Sequence, residues 1–100
     1  MQYLLLIYGD ENRRAEMPPE EREVTLKAWW DYQDWLSENG WYQGGEALQP
    51  TSATTTVRER DGEILTIDGP FMETKEQLGG YFLIDCENLD QAIEAASSGS

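Results

Sequence analysis

The sequence contains no histidine. That absence removes the side chain most often used as a general base near neutral pH, and with it any Ser–His–Asp arrangement. Cysteine occurs once, at Cys86, so no disulfide can close within the chain and the redox compartment is left open. Basic residues are scarce: 7 Lys and Arg stand against 20 Asp and Glu, for a net charge of −13. Such a balance repels phosphate backbones and anionic lipid, which makes nucleic acid a poor partner. It also slows anionic substrates unless a local Lys or Arg overrides the field, and its ordinary consequence is solubility. Long apolar runs are missing as well. The run at residues 3–8 (YLLLIY) is too short to span a bilayer and follows no basic segment, so no membrane association and a cytoplasmic location are expected. Nor is there a glycine loop of the nucleotide-binding type.

What is present suits one small globular domain. One hundred residues, 39% of them apolar and eleven of them aromatic, allow a single modest core and argue against disorder. Residues 2–8 form a nearly continuous apolar run, as a strand covered on both faces requires. A polar segment follows as far as Met17. Pro18 and Pro19 then open a helix, with Glu20 and Glu21 at its positive end. Val24, Ala28, Tyr32, Trp35 and Leu36 recur at helical spacing as its apolar stripe, and Asn39-Gly40 stops it. Trp29, Trp30 and Trp35 lie on different faces of this helix, so at least one belongs to an interface or a pocket wall.

The segment at residues 41–48 reads as a short strand in which Gly44 and Gly45 mark a bulge or a close approach of backbone. Residues 53–60 and 63–67 flank Asp61-Gly62, a strong hairpin signal. Residues 80–86 form another strand. A last helix, capped by Asn88 with Gln91 in the capping-box position, should bury Leu89, Ala92, Ile93 and Ala96. Residues 1–96 thus make the domain, and 97–100 (SSGS) read as a linker or appended tail.

Without its hairpin, this order is the beginning of βαββαβ, an α+β, ferredoxin-like arrangement whose closing strand is missing. That strand would pair beside the first one, and its absence leaves a long apolar edge, which soluble proteins avoid. Either the chain is a shortened form of the pattern, or another chain serves the edge.

The stretch TIDGPFMETKEQLGG at residues 66–80 is the densest in chemistry. Asp68 ends a strand just before Gly69-Pro70. There a half-buried carboxylate can act as a general acid or base, or can anchor the turn by accepting its N–H groups; the two roles shift its pKa in opposite directions. Phe71 should plug the core below. Thr74 and Gln77 have the spacing of a capping box for a helical turn ending at Gly79-Gly80. Glu73 and Lys75, which capping does not use, are either cleft groups or solvated charges. Glu46, after the bare backbone of Gly44-Gly45, can form a two-carboxylate site with Asp68, and Tyr8 can bring a hydroxyl to it. Two carboxylates also suit a hard cation, but no spacing matches a metal loop, so neither metal nor cofactor is expected.

IYGDE at 7–11, GGEALQP at 44–50, VRERDG at 57–62 and DGPFMETKEQLGGYFLID at 68–85 together resemble the DGPF-type members of the YCII-related proteins, from Met1 to about Ala96. The resemblance implies a ferredoxin-like domain that pairs into a dimeric α/β barrel, with a cleft beside the DGPF loop. Members of the family normally continue into a last strand. Some are proposed to be enzymes using a His–Asp pair, and others are encoded beside sigma factors. With no histidine, that pair cannot operate in this chain.

Two functions remain in view. One is a small cofactor-independent lyase or isomerase. In it Asp68, Glu46 and Lys75 would carry the proton chemistry, and Tyr8, Gly45, Gly69, Pro70, Phe71 and Glu73 would line the site. The other is a non-catalytic module that binds a small molecule and reports to a protein partner, which the resemblance links to sigma-factor signalling. A homodimer with a small-molecule ligand is expected in both.

Overall fold

The apolar run at the start of the chain becomes β1 (Gln2–Gly9) in the computed structural model, which describes residues 1–98. It is followed by a short helix α1 (Glu11–Ala15), the long helix α2 (Pro19–Glu38) and β2 (Tyr42–Ala47). A 3-10 turn (Thr51–Ala53) leads into β3 (Thr55–Arg60) and β4 (Glu63–Asp68). The chain then returns through β5 (Gln77–Asp85) to α3 (Leu89–Ser98), so helix continues into the first two residues of the segment read as a tail, whose last two lie outside the described residues. β1, β5 and β2 form one antiparallel sheet in that order, and β3 and β4 form a separate two-stranded sheet. The protein is therefore α+β with antiparallel sheets, compatible with a ferredoxin-like fold. Among the described residues the outer edge of β1 has no strand beside it.

The helices cover one face of the three-stranded sheet. Leu36 and Ile84 are fully buried, with Phe82, Cys86, Ala92 and Ala95 around them. Phe82 is the hub: the rings of Trp29, Tyr32 and Tyr42 lie 6.1, 5.4 and 6.2 Å from it, Tyr32 edge-on. Aromatic pairs in these geometries add stabilisation beyond their buried area. Tyr32 reaches across to α3, where its hydroxyl donates to the Ala95 carbonyl at 2.7 Å, and burial of the ring raises its pKa above the usual 10.0.

Gly45 is what lets Phe82 sit there. A Cβ at this position would lie 2.6 Å from the Tyr81 carbonyl oxygen and 2.9 Å from Phe82 Cδ1. The register of β2 on β5 also shifts between Tyr42 and Gly44. The paired glycines thus serve both as a bulge and as a close approach.

Several expected faces are rotated. Val24 is 69% exposed and Ala28 is also on the surface, so α2 buries a stripe through Trp29, Tyr32, Trp35 and Leu36 instead. On α3 the small residues Ala92 and Ala95 face inward while Leu89 and Ile93 remain exposed. Phe71 does not plug the core; it is 67% exposed. The segment at residues 74–80 is not a helical turn either. Thr74 donates through Oγ1 to the Glu76 carbonyl and Gln77 donates through Nε2 to the Thr74 carbonyl, after which Gln77 begins β5. Sheet pairing with Gly9 outweighs the capping pattern.

The other face of the sheet is open. Along β1, Leu4, Leu6 and Tyr8 are each half-exposed, alternating with Tyr3, Leu5 and Ile7 on the covered side. Cross-strand register sets Leu6, Tyr81 and Glu46 in one row, and Leu4 beside Leu83 in the next.

Candidate functional site

The residues singled out from sequence fall in two places. Asp68 closes β4 opposite Thr55, in the two-stranded sheet, whereas Glu46 lies on β2 opposite Tyr81, in the three-stranded one. Asp68, Pro70, Phe71, Glu73 and Lys75 are all exposed, and Gly69 is half-buried. The side chains of Asp68, Glu46, Glu73, Lys75 and Tyr8 make no hydrogen bond or ion pair among the described residues. Asp68 therefore does not anchor its turn. Backbone does that instead: Gly69 N–H donates to the Thr54 carbonyl at 2.7 Å, and Thr56 Oγ1 donates to the Gly69 carbonyl at 2.8 Å. Gly69 adopts φ +96°, a left-handed conformation that glycine tolerates and other residues resist.

Glu46 and Tyr8 do share a surface. Both project from the open face of the sheet, with Tyr8 56% exposed. Gly45 is spent on packing against Phe82 and is not bare toward solvent.

A well-defined hollow lies elsewhere. A cavity of about 360 Å³ is bounded by α1, the start of α2, the chain after β2, and β5. Its wall includes Glu11, Arg14, Met17, Arg22, Leu48 and Gly79. The volume is at the lower end of ordinary small-ligand pockets, about 300–1,000 Å³. None of the nine residues proposed from the sequence lines it.

Local hydrogen bonds hold this cavity open. Asp10 caps α1, its Oδ1 accepting from the N–H groups of Asn12 and Arg13. Glu11 N–H donates to Gln77 Oε1 at 3.0 Å, pinning the helix to the start of β5. The Glu11 carboxylate accepts from Thr51 N–H at 2.7 Å and Thr51 Oγ1 at 2.8 Å, which secures the loop on the far side. Arg22 donates through Nε to the Met17 carbonyl and through Nη2 to the Ala15 carbonyl, tying α2 to the α1–α2 connection. Leu48 N–H donates to the Gly79 carbonyl at 2.8 Å.

Arg14 is different. Its guanidinium lies over the β1 and β5 backbones, so close that a Cβ at Gly79 would be 2.8 Å from Nη2 and one at Gly9 would be 3.2 Å away. Among the described residues it has neither a hydrogen-bond nor an ion-pair partner.

Residues 10–17, expected only as a polar segment, instead supply α1 and part of the cavity wall. The signal was in the sequence all the same, since Asp10 before Glu-Asn-Arg-Arg-Ala is a cap followed by good helix formers. Among the described residues, no three His, Cys, Asp or Glu side chains gather as a metal site, and no helix is long and apolar enough to cross a membrane.

Comparison with known proteins agrees with the resemblance to the YCII-related proteins. A family model described as the YCII-related domain matches residues 1–99. An uncharacterised protein of Rhizobium meliloti (strain 1021) is 41% identical over 96 residues, an alignment covering 96% of this chain and 77% of that relative. The chain belongs to the YCII-related family.

Proposed function

We propose that the protein is a non-catalytic module that binds a small molecule in the cavity beside α1 and works as a homodimer. One observation carries this reading. The carboxylate that lines the cavity, Glu11, has both oxygens engaged by Thr51, while Asp68, Glu73 and Lys75 stand outside in solvent. A cavity walled by committed hydrogen bonds is suited to holding a ligand, and it offers no free acid–base pair. The homodimer is favoured by the open sheet face, where Leu4, Leu6 and Tyr8 lie half-exposed beside Leu83 and Tyr81. A second copy of the same face would bury them, as the dimeric barrel of a ferredoxin-like domain would.

A second reading keeps the enzyme. Tyr8 and Glu46 share the open face, so a partner seated there would enclose both, and Asp68 would join them only across the dimer. An Asp68→Asn variant separates the two. The binding module expects it to bind and dimerise as the parent does. Loss of turnover on an identified substrate, with folding intact, would favour the enzyme.

A further inference from the structure

We infer that the ligand is a small monoanionic carboxylate with an apolar body, its carboxylate paired with the Arg14 guanidinium. This rests on the cavity being a binding site.

Arg14 is the first reason. Its fork is the charged cavity group with no protein acceptor, while Arg22 already spends Nε and one terminal nitrogen on carbonyls of the chain. A planar guanidinium presents parallel N–H donors that match the two oxygens of a carboxylate. Glycines make room for it. With no Cβ at Gly79 or Gly9, the guanidinium rests directly on the strands at the edge of the cavity.

Charge is the second reason. The whole chain carries −13, yet this wall has two arginines against one glutamate whose oxygens both accept from Thr51. The site is thus locally positive within an acidic molecule. Such a site accepts one negative charge readily, while the surrounding field works against a multiply charged phosphate ester. Third, the rest of the lining is largely apolar. Ala15, Met17, Leu48 and Pro50 contribute aliphatic surface that suits a hydrocarbon or aromatic body.

The test is an NMR titration of the full chain, following backbone amides and arginine Nε–H groups, with benzoate and its neutral isostere benzamide as probes. Benzoate should shift the Arg14 Nε–H and the Leu48 and Gly79 amides saturably, with benzamide about ten-fold or more weaker, the scale of a charge-assisted hydrogen bond. Arg14→Gln should lower benzoate affinity to that of benzamide. Gly79→Ala, whose methyl displaces the guanidinium, should weaken benzoate while leaving the spectrum of the core unchanged.

If benzamide binds as tightly as benzoate, or Arg14→Gln binds benzoate like the parent, the cavity remains a binding site but the carboxylate assignment is overturned. If neither probe moves any cavity resonance, both the assignment and the cavity reading fall.

Discussion

Two glycine-to-alanine substitutions, at Gly45 and at Gly79, should have opposite consequences for stability. At Gly45 the new methyl meets the Tyr81 carbonyl oxygen at 2.6 Å and Phe82 Cδ1 at 2.9 Å. Ordinary carbon contacts lie near 3.5 Å, so β2 and β5 must part by roughly 0.9 Å, or Phe82 must leave its place among Trp29, Tyr32 and Tyr42. Neither route is easy, because one obstacle is backbone and the other is a packed ring. Overpacking of this kind costs about 1–3 kcal/mol, less the roughly 0.4–1 kcal/mol that any Gly→Ala change returns by restricting the unfolded chain.

At Gly79 the methyl meets only the far end of Arg14, at 2.8–2.9 Å. That side chain is flexible and has no hydrogen bond to lose, so the unfolded-state gain dominates. The expected change lies between about zero and 1 kcal/mol of stabilisation. Urea unfolding of both variants followed by tryptophan fluorescence measures this directly. For a chain of this size each kcal/mol moves Tm by about 4–8 °C, so calorimetry provides a check. Gly45→Ala as stable as the parent, or Gly79→Ala as damaged as Gly45→Ala, would refute the account of which strand contacts are rigid.

Leu36→Ala, at a fully buried position, should cost about 2–5 kcal/mol with the urea m-value preserved, measured by the same unfolding experiment. Tyr32 gives a pH dependence. Its pKa is raised by burial, so above pH 10 the folded state keeps a proton that the unfolded chain has lost, and stability falls as pH rises toward the folded-state pKa. Tyr32→Phe should be less stable at neutral pH by about 0.5–1.5 kcal/mol through loss of the bond to the Ala95 carbonyl, and should show a shallower alkaline decline; a slope equal to the parent's counts against this. Leu6→Glu, on the open sheet face, should shift the protein toward monomer in light scattering without loss of helical signal, and an unchanged mass would mean that this face does not carry the dimer.

The elements with strong local signals were legible along the chain. Pro18-Pro19 with two acids, closed by Asn39-Gly40, delimits α2, and Asp61-Gly62 places the turn between β3 and β4, where Asp61 adopts φ +53° and Gly62 φ +81°. Gly44-Gly45 announced both an irregularity of register and a close approach. The rest was harder. Which face of α2 and α3 turns inward is set by packing in the common core, where Ala92 and Ala95 are buried and Leu89 and Ile93 are left exposed. Thr74 and Gln77 fit a helical cap locally, and only pairing of Gln77 with Gly9 made that segment the start of a strand.

The candidate site divides in the same way. By itself the sequence determined the acidic charge, the lack of any histidine chemistry, the order of most elements and the family motifs, because each is fixed by residue type and short-range spacing. Only the tertiary structure decided that the DGPF loop stands in solvent while Glu11, Arg14 and Gly79 meet around a cavity. The last two are 65 positions apart in the chain. They are brought together by β1 pairing with β5, a contact between distant segments that no local pattern encodes.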